Sequence, residues 1–418
     1  MPAFLGFRCS LCGSEFPADA ALYICPRDQG NLDVRLDTAA IRRRTSPRRL
    51  FDQRDPSLWR YLDLLPVDDP GLEGTPLRAV GGTPLLKAER LAADIGLRRL
   101  WLKDDGRNPT ASFKDRASAV VVARALQIRA QPVVTASTGN AGAALAGMAA
   151  AAGVPAIILA PKSAPPAKVA QLLVFGARVF LVDGSYDDAF DLSVKAAQEF
   201  GWYCRNTGYN AFTAEGKKTA AYEIAEQFPT SAPGGEVWQV PDAVFVSVGD
   251  GNIISGIHKG FRDLLDLGWI ERLPRLYGVQ ASGSDAVARA FRAGGEDIRP
   301  VRAETLADSI SVDMPRDGVR AVRAARETGG EYIVVSDDDI LKAISELGRQ
   351  AAVFAEPAGA AAVAGLVQAV ERGRVRPEEG IVVVITGSGL KDVRAALRAV
   401  GEATVIEPTL DALRRAAA

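Results

Sequence analysis

The stretch Asn108-Pro109-Thr110-Ala111-Ser112-Phe113-Lys114-Asp115-Arg116 decides how the chain is read. Pro109 pushes Asn108 toward extended backbone and an alanine-rich apolar run follows over 117–126, so the stretch predicts a turn entering a helix with Ser112 as its N-cap. Lys114 then stands in the first turn, facing the positive end of the helix dipole, which disfavours an ammonium and favours a neutral amine. A neutral amine is a nucleophile. Taken alone, Lys114-Asp115-Arg116 is equally a solvated charge cluster at a helix start, and the rest of the chain has to decide.

With 418 residues, 48% of them hydrophobic and 24% charged, the chain has the composition of a globular protein with a sizeable core. Fifty basic against fifty-one acidic residues leave a formal charge of -1, which favours neither nucleic acid nor an anionic membrane as partner. Small-molecule chemistry is the better expectation. Four cysteines make no disulfide framework, and Met1-Pro2-Ala3-Phe4 lacks the layout of a secretion signal, so a reducing cytoplasm is expected. The uncharged run 141–160 is long enough to cross a bilayer, but Gly153-Val154-Pro155 divides it into a helix and a short strand. The single histidine, His258, has no serine elbow near it and reads as a structural or surface residue.

Near the amino terminus stand Cys9-Ser10-Leu11-Cys12-Gly13 and Cys25-Pro26-Arg27-Asp28. Paired knuckles of this kind hold zinc in a small ribbon, yet Asp28 occupies the place of the fourth cysteine. Two readings stay open: three thiolates (Cys9, Cys12, Cys25) and one carboxylate around an ion, or a ribbon that has lost its metal and packs on the main body. The expectation drawn from sequence is the metal-free form. Residues 37–80 read as an arginine-rich connector with Arg42-Arg43-Arg44 on a solvated face.

After Gly81-Gly82-Thr83-Pro84, short apolar strands alternate with alanine-rich helices. Strands are expected at 100–103, 132–135, 156–159, 178–182, 243–248, 276–279 and 381–385, with helices at 217–227 and 356–369 among others. This pattern predicts an α/β protein with open, mostly parallel sheets covered by helices, behind a zinc-ribbon-like segment at 1–36. In such sheets ligands bind beyond the carboxyl ends of the strands. Three of those ends are glycine-rich and lead toward helices: Ser137-Thr138-Gly139-Asn140, Gly249-Asp250-Gly251-Asn252 and Thr386-Gly387-Ser388-Gly389. Each is on its own a weak signal for an anion cradle.

A lysine amine, one phosphate cradle, one carboxylate cradle and no histidine or metal together fit pyridoxal phosphate acting on an amino acid. Nicotinamide binding fits less well, because no segment supplies both the glycine fingerprint and the acidic residue about twenty positions on.

At these residues the chain resembles the fold type II pyridoxal-phosphate enzymes and, within them, the threonine synthase family. The resemblance runs from about residue 82 to 392 and rests on five motifs in order: the opening stretch, Ala136-Ser137-Thr138-Gly139-Asn140, Ala214-Glu215-Gly216-Lys217-Lys218-Thr219-Ala220, Val248-Gly249-Asp250-Gly251-Asn252, and Thr386-Gly387-Ser388-Gly389-Leu390-Lys391-Asp392. It implies two sheets, with a large cofactor domain formed by 81–117 and 208–418 and a small domain by 118–207. It implies that Lys114 bonds the cofactor aldehyde and later moves protons, and that Phe113 beside it also binds the cofactor. Asn140 would face the phenolic oxygen, Gly249, Asp250, Gly251 and Asn252 the phosphate, Thr386 the pyridine nitrogen, and Ser137, Thr138 and Gly139 the substrate carboxylate. The implied reaction converts O-phosphohomoserine and water to threonine and phosphate, in a cytoplasmic homo-oligomer expected to be a dimer.

Two positions depart from the family pattern. Ala141 follows the asparagine where a hydroxyl residue is common, and Thr213 stands where an arginine precedes Glu-Gly-x-Lys-Thr; both family residues are associated with the substrate phosphate. Losing an arginine–phosphate pair removes a strong contact. Lys217 and Lys218 are the expected replacements, with Lys168 and Arg116 as further candidates. The rival readings are a β-eliminase or β-replacement enzyme acting on serine, threonine or O-phosphoserine, and a cofactor-binding regulatory protein without catalysis.

Overall fold

The computed structural model describes residues 3–53, 55–137, 139–164, 166–229 and 237–417. In chain order its strands are β1 (Phe4–Cys9), β2 (Glu15–Pro17), β3 (Leu32–Leu36), β4 (Leu85–Lys87), β5 (Arg99–Asp104), β6 (Val133–Ala136), β7 (Ala156–Pro161), β8 (Arg178–Val182), β9 (Tyr203–Cys204), β10 (Ala243–Ser247), β11 (Arg275–Ala281), β12 (Tyr332–Val335) and β13 (Gly380–Ile385). They form three sheets. The largest has the order β12-β11-β10-β13-β5-β4, parallel throughout except for β4, which runs antiparallel to β5. The second has the order β8-β7-β6-β9 and is wholly parallel. β2-β1-β3 is a small antiparallel sheet at the amino terminus.

The central parallel strands are apolar because helices cover both their faces, whereas β8, at a sheet edge, is largely exposed. All of Ala243–Ser247 and Gly380–Ile385 is buried, and alternate residues point into two different cores. Val244, Val246, Val382 and Val384 pack with the helix Asn252–Leu267, whereas Phe245, Ile381, Val383 and Ile385 pack with the helix Pro357–Glu371. Strand alternation thus splits one sheet between two hydrophobic layers. Among the described residues no helix is long and apolar enough to cross a membrane. The run 141–160 is the helix Asn140–Ala152 followed by β7, with Gly153 closing the helix in left-handed backbone at φ 65°.

The helix Lys114–Gln127 joins the two larger sheets. Asn108 is extended before Pro109 (φ -63°, ψ 158°), and Lys114 is the first helical residue. Ser112 does not cap the helix. Phe113 takes the N-cap position with helical backbone and no side-chain cap, while Ser112 bridges to Gly387 and keeps its hydroxyl buried without a partner. The turn is held by tertiary pairing to the end of β13 instead: the Phe113 amide donates to the Thr386 carbonyl at 2.9 Å.

One turn further on, Arg116 is fully buried in a carboxylate cage. Its Nε donates to Asp105 Oδ2 at 2.6 Å and its Nη1 to Glu223 Oε1 at 2.6 Å, while Lys103 Nζ lies 2.6 Å from Glu223 Oε2. Buried charges persist only when paired and hydrogen-bonded, and here each has a partner. The cage clamps the helix Lys114–Gln127 to β5 and to the helix Thr219–Gln227. It thereby fixes where Lys114 begins.

Candidate active site

A cavity of about 310 Å³ opens beyond the carboxyl ends of β6, β10 and β13. Lys114, Ser137, Gly139, Asn140, Lys217, Gly249, Asp250, Gly251, Asn252 and Thr386 line it, drawn from segments up to 272 residues apart in sequence, from 114 to 386. Thr138 lies outside the described residues. Phe113 is buried behind the wall, its ring 5.6 Å from the Arg116 guanidinium.

Lys114 sits where the strand-to-helix turn aims it into the cavity. Burial drives its ammonium down to about 8, against an opposing pull from the Glu356 carboxylate, and the nearby Arg205 charge lowers it further. Roughly a tenth is therefore neutral amine at pH 7, far more than for a free lysine at ~10.4.

The turn after β10 is a cradle that tolerates no side chain at its glycines. A Cβ on Gly249 would lie 2.8 Å from Ile310 Cα, and one on Gly251, at φ 92°, would lie 2.7 Å from the Asp317 carbonyl oxygen. Asn252 starts the following helix and accepts at Oδ1 from Lys217 Nζ at 2.5 Å. Its Nδ2 donates to Asp317 Oδ2 at 2.6 Å, and Thr213 Oγ1 donates to Asn252 Oδ1 at 3.2 Å. Asp250 accepts from the Arg316 amide at 2.8 Å. Lys217 is buried and held well below the usual lysine range, by burial first and then by the charges of Lys114 and Arg205. A helix N-terminus, open glycine amides and a lysine converge there, which is an anion site.

Lys218 points elsewhere. Its ammonium lies 2.6 Å from Glu215 Oε2 and 2.8 Å from Asp263 Oδ2, outside the cavity wall. Successive helical residues face different directions, so the Lys217-Lys218 pair is split by geometry. Arg116 is likewise committed to its cage. Lys168 reaches the cavity mouth, where it pairs with Asp308.

The structure adds residues that sequence reasoning missed. Glu356, at the N-cap of the helix Pro357–Glu371, lines the cavity and accepts from Asn140 Nδ2 at 2.8 and 2.9 Å. Burial pushes its carboxyl up. Glu356-Pro357 before an alanine-rich run was the available signal, since an acceptor ahead of proline is a helix start. Arg205, just past the two-residue strand β9, is fully buried and has no ion-pair partner among the described residues. Its Nη1 donates to Thr207 Oγ1 at 2.7 Å, and its Nη2 is buried without an acceptor. Thr207 faces the cavity.

His258 lies outside the cavity, its Nε2 3.5 Å from Glu327 Oε2, and burial pulls it down to about 4. Cys9, Cys12, Cys25 and Asp28 come together at the amino-terminal sheet, their ligand atoms all within 4.8 Å of one another.

Residues 77–387 match the sequence model of the pyridoxal-phosphate dependent enzymes. The chain belongs to that family. It is 38% identical over 411 residues to the threonine synthase of Methanosarcina acetivorans, covering 98% of both chains, and 38% identical over 410 residues to that of Methanocaldococcus jannaschii. The threonine synthase of Mycobacterium tuberculosis is 36% identical over 340 residues, 81% of this chain and 89% of the relative. Among solved structures, processed threonine deaminase isoform 2 from Solanum lycopersicum superposes with a TM-score of 0.66 at 21% identity, over 82% of this chain and 94% of that one. That likeness concerns the fold.

The residues present fit pyridoxal phosphate. The cavity supplies a largely desolvated lysine, a glycine cradle with a helix N-terminus for a phosphate, and a threonine hydroxyl at the end of β13. Asp250 and Glu356, the carboxylates facing Lys114, are both pushed up by burial, so each holds a proton more readily than an exposed carboxylate does.

Proposed function

We propose that this chain is a threonine synthase, converting O-phospho-L-homoserine and water to L-threonine and phosphate. The observation that carries the reading is the joint placement of Lys114, the Gly249 to Asn252 cradle and Thr386 on one cavity, together with near full-length similarity to threonine synthases.

Lys114 would bond the cofactor aldehyde, Gly249, Gly251, Asn252 and Lys217 would hold its phosphate, and Thr386 would face its ring nitrogen. When bound, pyridoxal phosphate supplies an electron sink for negative charge developing on the substrate carbons. A threonine hydroxyl leaves the ring nitrogen without a full proton, unlike a carboxylate. Lys114, released as a neutral amine, would take the proton at the substrate α carbon, hand it back to the bound substrate and cofactor, and only then take a proton at the β carbon; an affinity for a proton set at about 8 suits it to both taking and giving. Ser137 and Gly139 at the N-terminus of the helix Asn140–Ala152 receive the substrate carboxylate. Asn140, which lines the cavity, is oriented by Glu356 through its Nδ2.

The departing phosphate needs donors fixed before it leaves. Thr207 and Arg205 supply them in this reading, in place of the arginine that Thr213 displaces. Arg205 donates to Thr207 Oγ1, which leaves the Thr207 hydroxyl hydrogen free to donate, and the buried guanidinium behind it has no ion-pair partner among the described residues. Thr213 itself is occupied with Asn252.

All four cysteines are free, which supports a reducing cytoplasm as the working compartment. The exposed apolar side chains Leu390, Val393, Leu397 and Val400 near the carboxyl terminus support a homo-oligomer. The test of the function is product analysis: with O-phosphohomoserine as sole substrate, threonine and phosphate form in equal amounts.

A further inference from the structure

We propose that the amino-terminal sheet holds one zinc ion between the thiolates of Cys9, Cys12 and Cys25 and the carboxylate of Asp28, and that the ion stiffens a brace against two loops framing the cavity. This reverses the metal-free expectation drawn from sequence, and geometry is the reason.

Cys12 Sγ and Cys25 Sγ are 3.8 Å apart, and Cys9 Sγ lies 3.3 Å from Asp28 Oδ1. A tetrahedral site with zinc–sulfur bonds of about 2.3 Å and a zinc–oxygen bond of about 2.0 Å has edges of roughly 3.8 Å between sulfurs and roughly 3.5 Å from sulfur to oxygen. These two pairs already sit near those spacings, and all four ligand atoms lie within 4.8 Å of one another. Backbone amides hold two of the ligands in place: Gly30 donates to Asp28 Oδ1 at 2.9 Å and Leu11 to Cys9 Sγ at 3.3 Å. Gly30 is required there, because a Cβ would lie 2.9 Å from Cys9 Sγ and 3.0 Å from Asp28 Oδ1. Three soft thiolates with one carboxylate in tetrahedral array select zinc over magnesium or calcium, which prefer six or more oxygens. Cys9 and Cys25 are buried and Cys12 is exposed, so an ion has an entry path on one side.

The metal-bearing loop is tied directly to the site. Asn31, next to Gly30, donates from Nδ2 to the Gly208 carbonyl at 2.5 Å and the Arg316 carbonyl at 3.1 Å. Tyr23 Oη accepts from the Cys204 amide at 2.9 Å, and its ring stacks on Tyr209 at 4.8 Å. Asp33 pairs with Arg320 at 2.5 Å. These partners flank Arg205 and Thr207 on one side, and on the other the Arg316-Asp317 turn that holds Asp250 and Asn252. A sheet of 3, 5 and 6 residue strands has little core of its own, so the ion supplies the stiffness that packing alone does not.

The experiment uses the full-length protein purified without chelator. Elemental analysis is expected to give about one zinc per chain. Cys12→Ser, at an exposed position, is expected to lose it, and Asp28→Ala to release it to a competing chelator at least tenfold faster. Cobalt substitution supplies a readout independent of activity. The wild-type protein should show tetrahedral visible bands with thiolate charge transfer, which Asp28→Cys intensifies and Asp28→Ala shifts. Removing the metal should increase amide hydrogen exchange at 204–210 and 316–318 before it does so in β10. Protein that carries no zinc and takes none up on addition overturns the proposal. So does zinc that is indifferent to Cys12→Ser, a cobalt spectrum unchanged in Asp28→Ala, or exchange at those loops that does not respond to the metal.

Discussion

Lys217 donates from Nζ to Asn252 Oδ1 at 2.5 Å, which ties the lysine of the Glu215-Gly216-Lys217-Lys218 motif to the glycine cradle. In the proposed function its place is the cofactor phosphate. Lys217→Gln should raise the dissociation constant for pyridoxal phosphate about 10- to 100-fold, the worth of a hydrogen bond to a charged group, with a smaller change in substrate KM. Spectroscopic titration of apo-protein checks this. A variant that keeps its cofactor affinity and loses only recognition of phosphorylated substrate would place Lys217 on the substrate instead.

Burial sets Lys114 at about 8, so the rate at which apo-protein captures pyridoxal phosphate should rise with pH through about 8 rather than through the free-lysine range near ~10.4. Glu356 pulls that value upward, and Glu356→Gln should move the inflection lower. The sign for stability follows. Below about 8 the folded chain holds a desolvated ammonium that the unfolded chain solvates freely, so Lys114→Met should raise the apo-protein Tm at neutral pH, with the gain fading as pH rises toward 10.5. A gain that grows with pH would contradict the assignment.

The cage around Arg116 makes a prediction about the fold alone. Glu223→Ala removes the carboxylate partner of Lys103 and one of the two that hold Arg116, leaving Asp105 alone to offset two buried cations. A loss of about 3–5 kcal/mol in denaturant unfolding is expected. A loss of under about 1 kcal/mol, the worth of an exposed pair, would mean that water reaches the cage.

Much of this was legible in the sequence. The strands at 243–248 and 381–385 stand out because buried parallel strands are continuous apolar runs, and the glycine turns follow directly from them. Lys114 was legible from its place ahead of an alanine-rich run. Ser112 misled because an N-cap preference is local, whereas a bridge to Gly387, 275 residues later, decided its role. Lys218 misled because adjacency in sequence hides the rotation between successive helical residues. Arg205 was illegible because β9 is two residues long, too short to mark a strand end, and its lack of a counter-charge is a property of the fold. The cysteine cluster was visible as a motif, but only the fold brings Asp28 within 4.8 Å of all three thiols.

Arg205 and Thr207 separate substrate from cofactor recognition. Arg205→Gln and Thr207→Val should each lower kcat/KM for O-phosphohomoserine about 10- to 100-fold, while pyridoxal phosphate stays bound. The penalty should be far smaller for unphosphorylated serine or threonine, since neither presents an anion to that wall. Equal losses on all substrates would assign the pair to stability of the cavity.

The central claim is that the cavity releases a phosphate from the γ carbon and returns a hydroxyl at the β carbon. The measurement that tests it most directly is kcat/KM of the purified holoenzyme for O-phosphohomoserine, O-phosphoserine, serine and threonine, with products identified. The account predicts that O-phosphohomoserine is preferred and gives threonine and phosphate in equal amounts. Conversion of threonine to a ketoacid faster than threonine is formed would contradict it and make this chain an eliminase.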